Sequence, residues 1–420
     1  MLSKEDNEFL TRCGPQSAMG AYLRRFWIPA MALSEVPLPD EPPVRLRLLS
    51  EDLIVFRDTL GRIGAMEERC PHRLASLYFG RNEECGIRCI YHGWKFDVEG
   101  RCLETPNEPE SSRFAEKVRA NAYLTAQSGG LLWIYLGERA SAPALPGFEW
   151  LDLPDEQRYI SRWEQECNSI QAMEGELDSA HVSFLHRRVD GIAENKMALT
   201  GSYFRDDTAP SWHVTDTEYG FIAASARAVE NDNAYWRMNQ FLLPFYTMIT
   251  ALPGGPRMTR MWVPKDEEHC WVIAVSFRPD RPLEAEELRA WRAGENTHRL
   301  VHPGTTQPVE TRANDYLIDR CVQKTQTFTG IAGIRAQDAM ATESAGPIAD
   351  RTKEHLGTSD RAIIAMRKRL IREARALEKD GTTPKAAEGG DLYRVRASSA
   401  VLPKSQEFTE SEEVLEDLKA

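Results

Sequence analysis

Apolar and polar positions alternate in short runs through the first third of the chain. Arg45-Leu46-Arg47-Leu48 and Leu53-Ile54-Val55-Phe56 read as neighbouring strands, and Leu131-Leu132-Trp133-Ile134-Tyr135-Leu136 closes the series. Between them lie turns and brief strands, which define a small all-β domain over 44–140. Upstream, the apolar and aromatic stretch from Met19 to Trp27 predicts a helix and a docking arm. The segment 1–43 is therefore expected to pack on the larger downstream domain, with Pro37, Pro39, Pro42 and Pro43 as its linker. A second linker, Ser141 to Pro154, carries three prolines and a glycine.

From there the periodicity changes. Cys167 to Arg188 reads as one helical stretch, and Tyr203-Phe204, Gly220 to Ala223, Trp236 to Ile249 and Cys270 to Phe277 read as β-rich runs. Helices are expected again around 284–299 and 314–324. Ser359-Asp360 caps a last helix whose Ile363, Ile364, Leu370, Ile371, Ala374 and Leu377 recur at helical spacing. Its other side is basic (Arg367, Lys368, Arg369, Arg372, Arg375). This order gives an α+β domain over 141–380, a sheet with helices on one face, rather than repeating βαβ units. Residues 381–420, glycine-bearing and then acidic from Glu407, are expected to form a partly mobile extension.

The chain has 420 residues, enough for two domains each with its own core. A net charge of −12 argues against a nucleic-acid or anionic-membrane surface, and an anionic substrate would need local arginines. No apolar run approaches the roughly 18 residues of a membrane span, and Met1-Leu2-Ser3-Lys4-Glu5-Asp6 lacks the apolar core of a signal peptide. Eight cysteines without a disulfide pattern suit a reducing cytoplasm.

Two of those cysteines carry the first chemistry. Cys70-Pro71-His72 and Cys89-Ile90-Tyr91-His92 read C-x-H, a sixteen-residue gap, then C-x-x-H. That is the ligand set of a Rieske [2Fe–2S] cluster, in which Cys70 and Cys89 hold one iron and His72 and His92 the other. Imidazole removes less charge than thiolate, so the potential rises to roughly −150 to +300 mV, suited to passing single electrons. A Cys₂His₂ zinc site uses the same residues, but zinc fingers separate a Cys pair from a His pair. Cys85 lacks a histidine at the matching offset and reads as a free thiol.

The second chemistry is Asp178-x2-His181-x4-His186. On a straight helix Asp178 and His181 share a face, while His181 and His186 point about 140° apart. Two imidazoles on one metal therefore require a distorted turn at Val182–Leu185. With a carboxylate they would form the facial triad of mononuclear non-haem Fe(II) oxygenases, which leaves positions open for dioxygen.

Rieske ligands followed by D-x2-H-x4-H resemble the Rieske non-haem iron ring-hydroxylating oxygenases, large (alpha) subunit, over most of the chain. The likeness is greatest to the phthalate 4,5-dioxygenase-like group. Gln337-Asp338, the run Gly346 to Thr352, and Glu354 to Asp360 extend the match. The resemblance implies a curved antiparallel sheet of helix-grip (START-like) form in the catalytic domain. It implies Asp338 as third iron ligand, with Asp350, Asp315 and Asp319 as rivals. It implies that Asp178 bridges a cluster histidine and an iron-bound histidine across a subunit boundary, hence a homotrimer or stacked trimers. An NADH-dependent flavin/iron–sulfur reductase would supply electrons, and O2 would be used to hydroxylate an aromatic, phthalate-like substrate by cis-dihydroxylation. A monooxygenase or O-demethylase and a plain electron carrier are the alternatives. For a substrate carboxylate, Arg205 and Arg237 are the expected partners, with Arg257 and Arg260 as substitutes. Phe184, Phe204, Trp236, Phe241, Phe245 and Met248 are candidate pocket residues.

Overall fold

The computed structural model describes residues 2–190, 202–250 and 254–420. They form two compact units, one of Cys13–Pro143 and one of Met1–Arg12 with Ala144–Ala420.

The smaller unit holds two antiparallel sheets. The larger sheet has six strands, in the spatial order Trp27–Ala32, Leu131–Tyr135, Ala122–Ser128, Ile63–Glu67, Glu51–Arg57 and Val44–Leu48. The second has four short strands between Arg81 and Glu104. The apolar alternation explains the burial: Ile54, Phe56 and Met66 pack with Leu77, Ile87, Trp94 and Phe96 into one core that also encloses Cys70 and Cys89. The expected division at residue 43 is displaced. Only Met1–Arg12 belongs with the larger unit, because Trp27–Ala32 pairs with Leu131–Tyr135 and is therefore an edge strand of the small sheet.

The larger unit is built on an antiparallel eight-stranded sheet. Its order is Arg158–Gln165, Cys270–Phe277, Arg257–Pro264, Tyr246–Thr250, Asn233–Leu242, Gly220–Val229 and Ser211–Asp216. Asn233–Leu242 divides one edge between two partners. Its last three residues pair with Tyr246–Met248, and its first six pair with the C-terminal strand Ser398–Pro403. The helix Ser169–Leu177 packs against the sheet and against the helices Ile334–Glu343 and Arg361–Asp380. The N-terminal helix Lys4–Thr11 is tied to this unit by Asn7, whose Oδ1 accepts from buried Arg351 at 2.9 Å, and by Asp6 with Arg375.

Several expectations change here. Cys167 to Arg188 is not one helix: it stops at Leu177, and a single turn, Val182–Leu185, follows. Tyr203-Phe204 lies in the short helix Ser202–Asp206 rather than in a strand. Arg367 is on the buried side of the last helix, where it pairs with Glu174 and Glu354. The tail is part of the fold. Phe408, Val414 and Leu418 are buried against Ala224, Trp236 and Met238, and Ser411 caps the helix Glu412–Asp417 by accepting from the Val414 N–H. Phe408→Ala should therefore cost roughly 3 kcal/mol of stability through the cavity it leaves. Urea unfolding measures this, and an unchanged midpoint would show that the tail packs without contributing.

Candidate Rieske and mononuclear iron sites

The two cysteine loops of the smaller unit are built alike. In each, the cysteine N–H bonds to the carbonyl five residues on (Cys70 to Ala75, 2.9 Å; Cys89 to Trp94, 2.8 Å). In each, the residue four after the cysteine returns a bond to the cysteine carbonyl at 2.9 Å (Leu74, Gly93). That fourth residue is left-handed in both loops, φ 61° at Leu74 and 77° at Gly93. Leu74 thus bears backbone strain that Gly93 avoids. A side chain at 93 would also meet Pro106 at 2.7 Å.

These loops set the His72 and His92 rings 4.5 Å apart. His72 stacks on Trp94 at 4.2 Å and 10°, and the Trp94 indole N–H donates to Asn107 Oδ1 at 2.7 Å. The donor set fits the cluster on two counts. The buried Nδ1 of His72 has no hydrogen-bond partner among the described residues, a deficit that a metal bond would remove. Burial, with the Cys89 thiol alongside, pushes Cys70 up to about 12, so thiolate forms at neutral pH only with a cation present. Desolvation, with His72 and Arg73 nearby, holds His92 below the usual imidazole range, in its ligating neutral form.

In the larger unit, Asp178 ends the helix Ser169–Leu177 with extended backbone angles. Its Oδ1 accepts the Ala180 N–H at 2.7 Å and the His181 N–H at 3.4 Å. This local bonding competes with the helix and breaks it before His181; the turn that follows ends at Leu185, so the helix is also interrupted between the histidines, as expected. Asp178 Oδ2 then lies 3.5 Å from His181 Nδ1. The loop is stapled from below by buried Arg227, which donates to the Ser179 carbonyl at 2.6 Å and to its hydroxyl at 3.1 Å.

The one-turn helix Val182–Leu185 carries His186 round to meet His181, and Asp338 arrives from the helix Ile334–Glu343. Asp338 Oδ1 lies 3.4 Å from His181 Nε2 and 3.2 Å from His186 Nε2. All three donor atoms fall within 4.8 Å of one another, and the two carboxylate–imidazole distances are close to those of neighbouring ligands on one ion. His186 Nδ1 is 2.6 Å from Gln337 Oε1, and Gln337 Nε2 donates to the Ile331 carbonyl at 2.8 Å. Since the amide nitrogen is committed to a carbonyl, Oε1 faces the ring. His186 Nδ1 therefore carries the proton, and Nε2 keeps its lone pair for a metal.

The charges suit a divalent cation. Burial disfavours an ionised Asp338, but Arg335 and the two histidines outweigh this and hold it well below the carboxylate range. Burial likewise opposes a charged His181, yet its bonds to Asp178 and Asp338 lift it to about 10. The two carboxylates thus favour a positive charge between them, which a metal ion would supply.

The rival acids are elsewhere. Asp319 caps Arg320–Thr325, Asp350 bonds Thr352 and Lys353 at the surface, and Asp315 is exposed. Of the arginines, Arg237 is buried, with Nε donating to the Thr250 carbonyl at 3.1 Å. Arg205 is exposed beside Asp206, since its five-residue helix turns it outward. Arg260 is fully enclosed near Glu176, and Arg257 pairs with Asp417. Trp236 packs on Phe408 in the tail cluster, while Phe184 is half exposed. Phe184 lines an open cleft of about 460 Å³ with Ala180, His181, Pro210 and Thr358. Arg227, Arg335 and the role of Gln337 had no sequence signal beyond the adjacency of Gln337 to Asp338.

Residues 26–120 match the Rieske [2Fe-2S] domain, and residues 134–419 match the family described as LigXa C-terminal domain like. The chain belongs to the Rieske non-haem iron ring-hydroxylating oxygenases. It is 37% identical to the 3-chlorobenzoate-3,4-dioxygenase oxygenase subunit of Comamonas testosteroni, over 97% of each chain. It is 36% identical to the phthalate 4,5-dioxygenase oxygenase subunit of Pseudomonas putida, over 96% of this chain and 93% of that one. Among solved structures, the QL mutant of NdmA from Pseudomonas putida CBB5 with theobromine has a TM-score of 0.59 at 19% identity. It covers 88% of this chain and 95% of its own, and shares the fold. The protein is thus the oxygenase subunit of a multicomponent Rieske system, an enzyme with a [2Fe–2S] cluster and a mononuclear iron, served by a separate reductase.

Gln337→Leu removes the acceptor that fixes His186 and should weaken iron retention about 10- to 100-fold. Iron content after dialysis reads the loss, and the visible Rieske absorption should be unchanged. Equal iron in both proteins would show that His186 needs no such partner.

Proposed function

We propose that His181, His186 and Asp338 hold the catalytic Fe(II), that Cys70, His72, Cys89 and His92 hold the cluster, and that the enzyme hydroxylates an aromatic carboxylate, most simply by cis-dihydroxylation. The observation that carries this reading is the meeting of two imidazoles and one carboxylate within 4.8 Å in a chain that also bears a Rieske donor set. When bound, the ferrous ion supplies dioxygen activation with electrons relayed from the cluster.

The rest is the work of the chain. Gln337 and Asp178 hold the outer nitrogens of the two imidazoles, so both Nε2 atoms converge on one point. Arg237, buried close to Glu176 and Asp178 and near the Phe204 face, is the cation suited to a substrate carboxylate. A carboxylate held there has its ring fixed in one pose, which is what selectivity requires of an unselective oxidant. The 3-chlorobenzoate and phthalate relatives support the acid class.

Asp178 has a second part in this reading. Its side chain is one-quarter exposed, beside the cleft that reaches His181. A cluster histidine of a neighbouring subunit approaching from that side would donate to Asp178, giving the proposed homotrimer or stacked trimers its route for electrons. None of the eight cysteines is in a disulfide, in keeping with a cytoplasmic location, and no helix among the described residues is long and apolar enough to cross a membrane.

Oxygen uptake with NADH and a reductase, across phthalates, benzoates and phenoxybenzoates and their uncharged esters, tests the function. Uptake should require the free acid and yield a cis-dihydrodiol. Arg237→Leu should raise KM for the acid at least about tenfold. Oxidation of esters as fast as acids would sink the carboxylate assignment, and a phenol with formaldehyde would replace dioxygenation by O-demethylation. Asp178→Asn should retain both metals while slowing single-turnover oxidation of the reduced cluster. Unchanged single-turnover rates would remove Asp178 from the electron route.

A further inference from the structure

Asp338 is not the only residue that the helix Ile334–Glu343 brings to the histidine pair. Arg335 lies three residues earlier, on the same face, and is almost fully buried. Its Nη2 stands 3.3 Å from Asp338 Oδ2, while its Nη1 donates to Glu176 Oε2 at 2.6 Å. The two oxygens of Asp338 therefore face different partners. Oδ1 faces both histidine Nε2 atoms, and Oδ2 faces the guanidinium. Oδ2 is buried and accepts no hydrogen bond among the described residues, so its pairing with Arg335 is an ion pair across a short gap.

Arg335 has little room to leave this position. Glu176, on the helix Ser169–Leu177, has a side chain only 1% exposed, and its other oxygen lies 3.9 Å from Arg260 Nε. Arg260 is itself fully enclosed and donates to the Thr297 carbonyl at 2.8 Å. The row Arg260–Glu176–Arg335–Asp338 thus alternates in sign from the sheet to the metal-binding group. Each buried charge has an opposite neighbour, the condition on which such charges are tolerated.

We propose that Arg335 is a positioning residue that keeps Asp338 a one-oxygen ligand of the iron. A carboxylate can bind a hard divalent ion through one oxygen or both. With Oδ2 paired to a fixed guanidinium, only Oδ1 is offered. His181, His186 and Asp338 then fill three positions of an octahedral ion instead of four, which leaves more room for exogenous ligands. A lysine would not do the same, since one ammonium cannot serve Glu176 and Asp338 along the two arms of a fork. The inference rests on the reading that His181, His186 and Asp338 hold the metal.

The test replaces iron with Co(II) in the full-length protein carrying its oxidised, diamagnetic cluster, so that the low-temperature EPR spectrum reports Co(II) alone. Arg335→Gln and the double variant Glu176→Gln/Arg335→Gln are compared with the unmodified protein. The double variant removes the buried pair together and leaves no unpaired carboxylate at 176. Both variants should bind Co(II) within about tenfold of the unmodified affinity and show an altered signal as Oδ2 joins the ion. A signal identical to that of the unmodified protein, in either variant, would overturn the proposal. So would loss of Co(II) binding from both, which would make Arg335 a structural prop. Asp338→Ala separates the two levels of inference. If it binds Co(II) with an unchanged signal, the metal site itself is misplaced; if it loses the signal, a negative result on Arg335 bears on Arg335 alone.

Discussion

A single carboxylate, Asp338, is the point on which the catalytic unit converges. It touches both imidazoles through one oxygen and a buried guanidinium through the other. A carboxylate in so enclosed a place is costly unless it is paired. Arg335, His181 and His186 supply the pairing, and Arg335 in turn requires Glu176, which requires Arg260. The sheet, the helix Ser169–Leu177 and the helix Ile334–Glu343 are locked together by this row of charges. Elements far apart in sequence, Asp178 to His186 and Arg335 to Asp338, are thereby held in one geometry.

What could be read from the sequence was the chemistry whose partners are close along the chain. The two cysteine–histidine pairs are each one loop, and the spacing of Asp178, His181 and His186 is itself a local geometric statement. The α+β order, the last helix and the small β unit were legible because their apolar positions recur at the right period. Asp338 came from a resemblance, and the structure shows why no pattern pointed to its helix. The apolar contacts of Ile334–Glu343 are made by Ile334, Ala336, Ala339 and Met340, mostly small residues, while its buried positions include Arg335 and Gln337. A helix that buries polar groups has no hydrophobic stripe to announce it.

The misreadings have equally local causes. Cys167 to Arg188 looked continuous because nothing in Asp178-Ser179-Ala180 is a strong breaker, yet the Asp178 side chain captures backbone N–H groups that a helix would leave to carbonyls. The acidic tail looked loose because its charges outnumber its apolar residues. Three of those apolar residues, Phe408, Val414 and Leu418, suffice to anchor it on Trp236 and Met238. Arg227 was invisible for another reason: its partner is the backbone of Ser179, and no spacing in the sequence reports a side chain that binds a distant carbonyl.

The two metal sites solve opposite problems with related means. In the smaller unit the chain buries two thiols, burial pushes the ionisation of Cys70 up, and one imidazole is supported by stacking on Trp94 rather than by a hydrogen bond. The loops give little beyond shape, and the cluster's own charge completes the site. In the larger unit the one carboxylate is already ionised, and an oxygen acceptor faces the outer nitrogen of each imidazole. These acceptors differ in kind. His186 is held by a neutral amide and His181 by a carboxylate, so His181 is the more electron-rich ligand and the one with an exposed side towards the cleft. The asymmetry gives the two histidines separate duties. In the proposed reading His186, its side chain buried and bound to a rigid amide, would fix where the ion sits, whereas His181, through Asp178, would be the ligand by which a donor outside the unit reaches it.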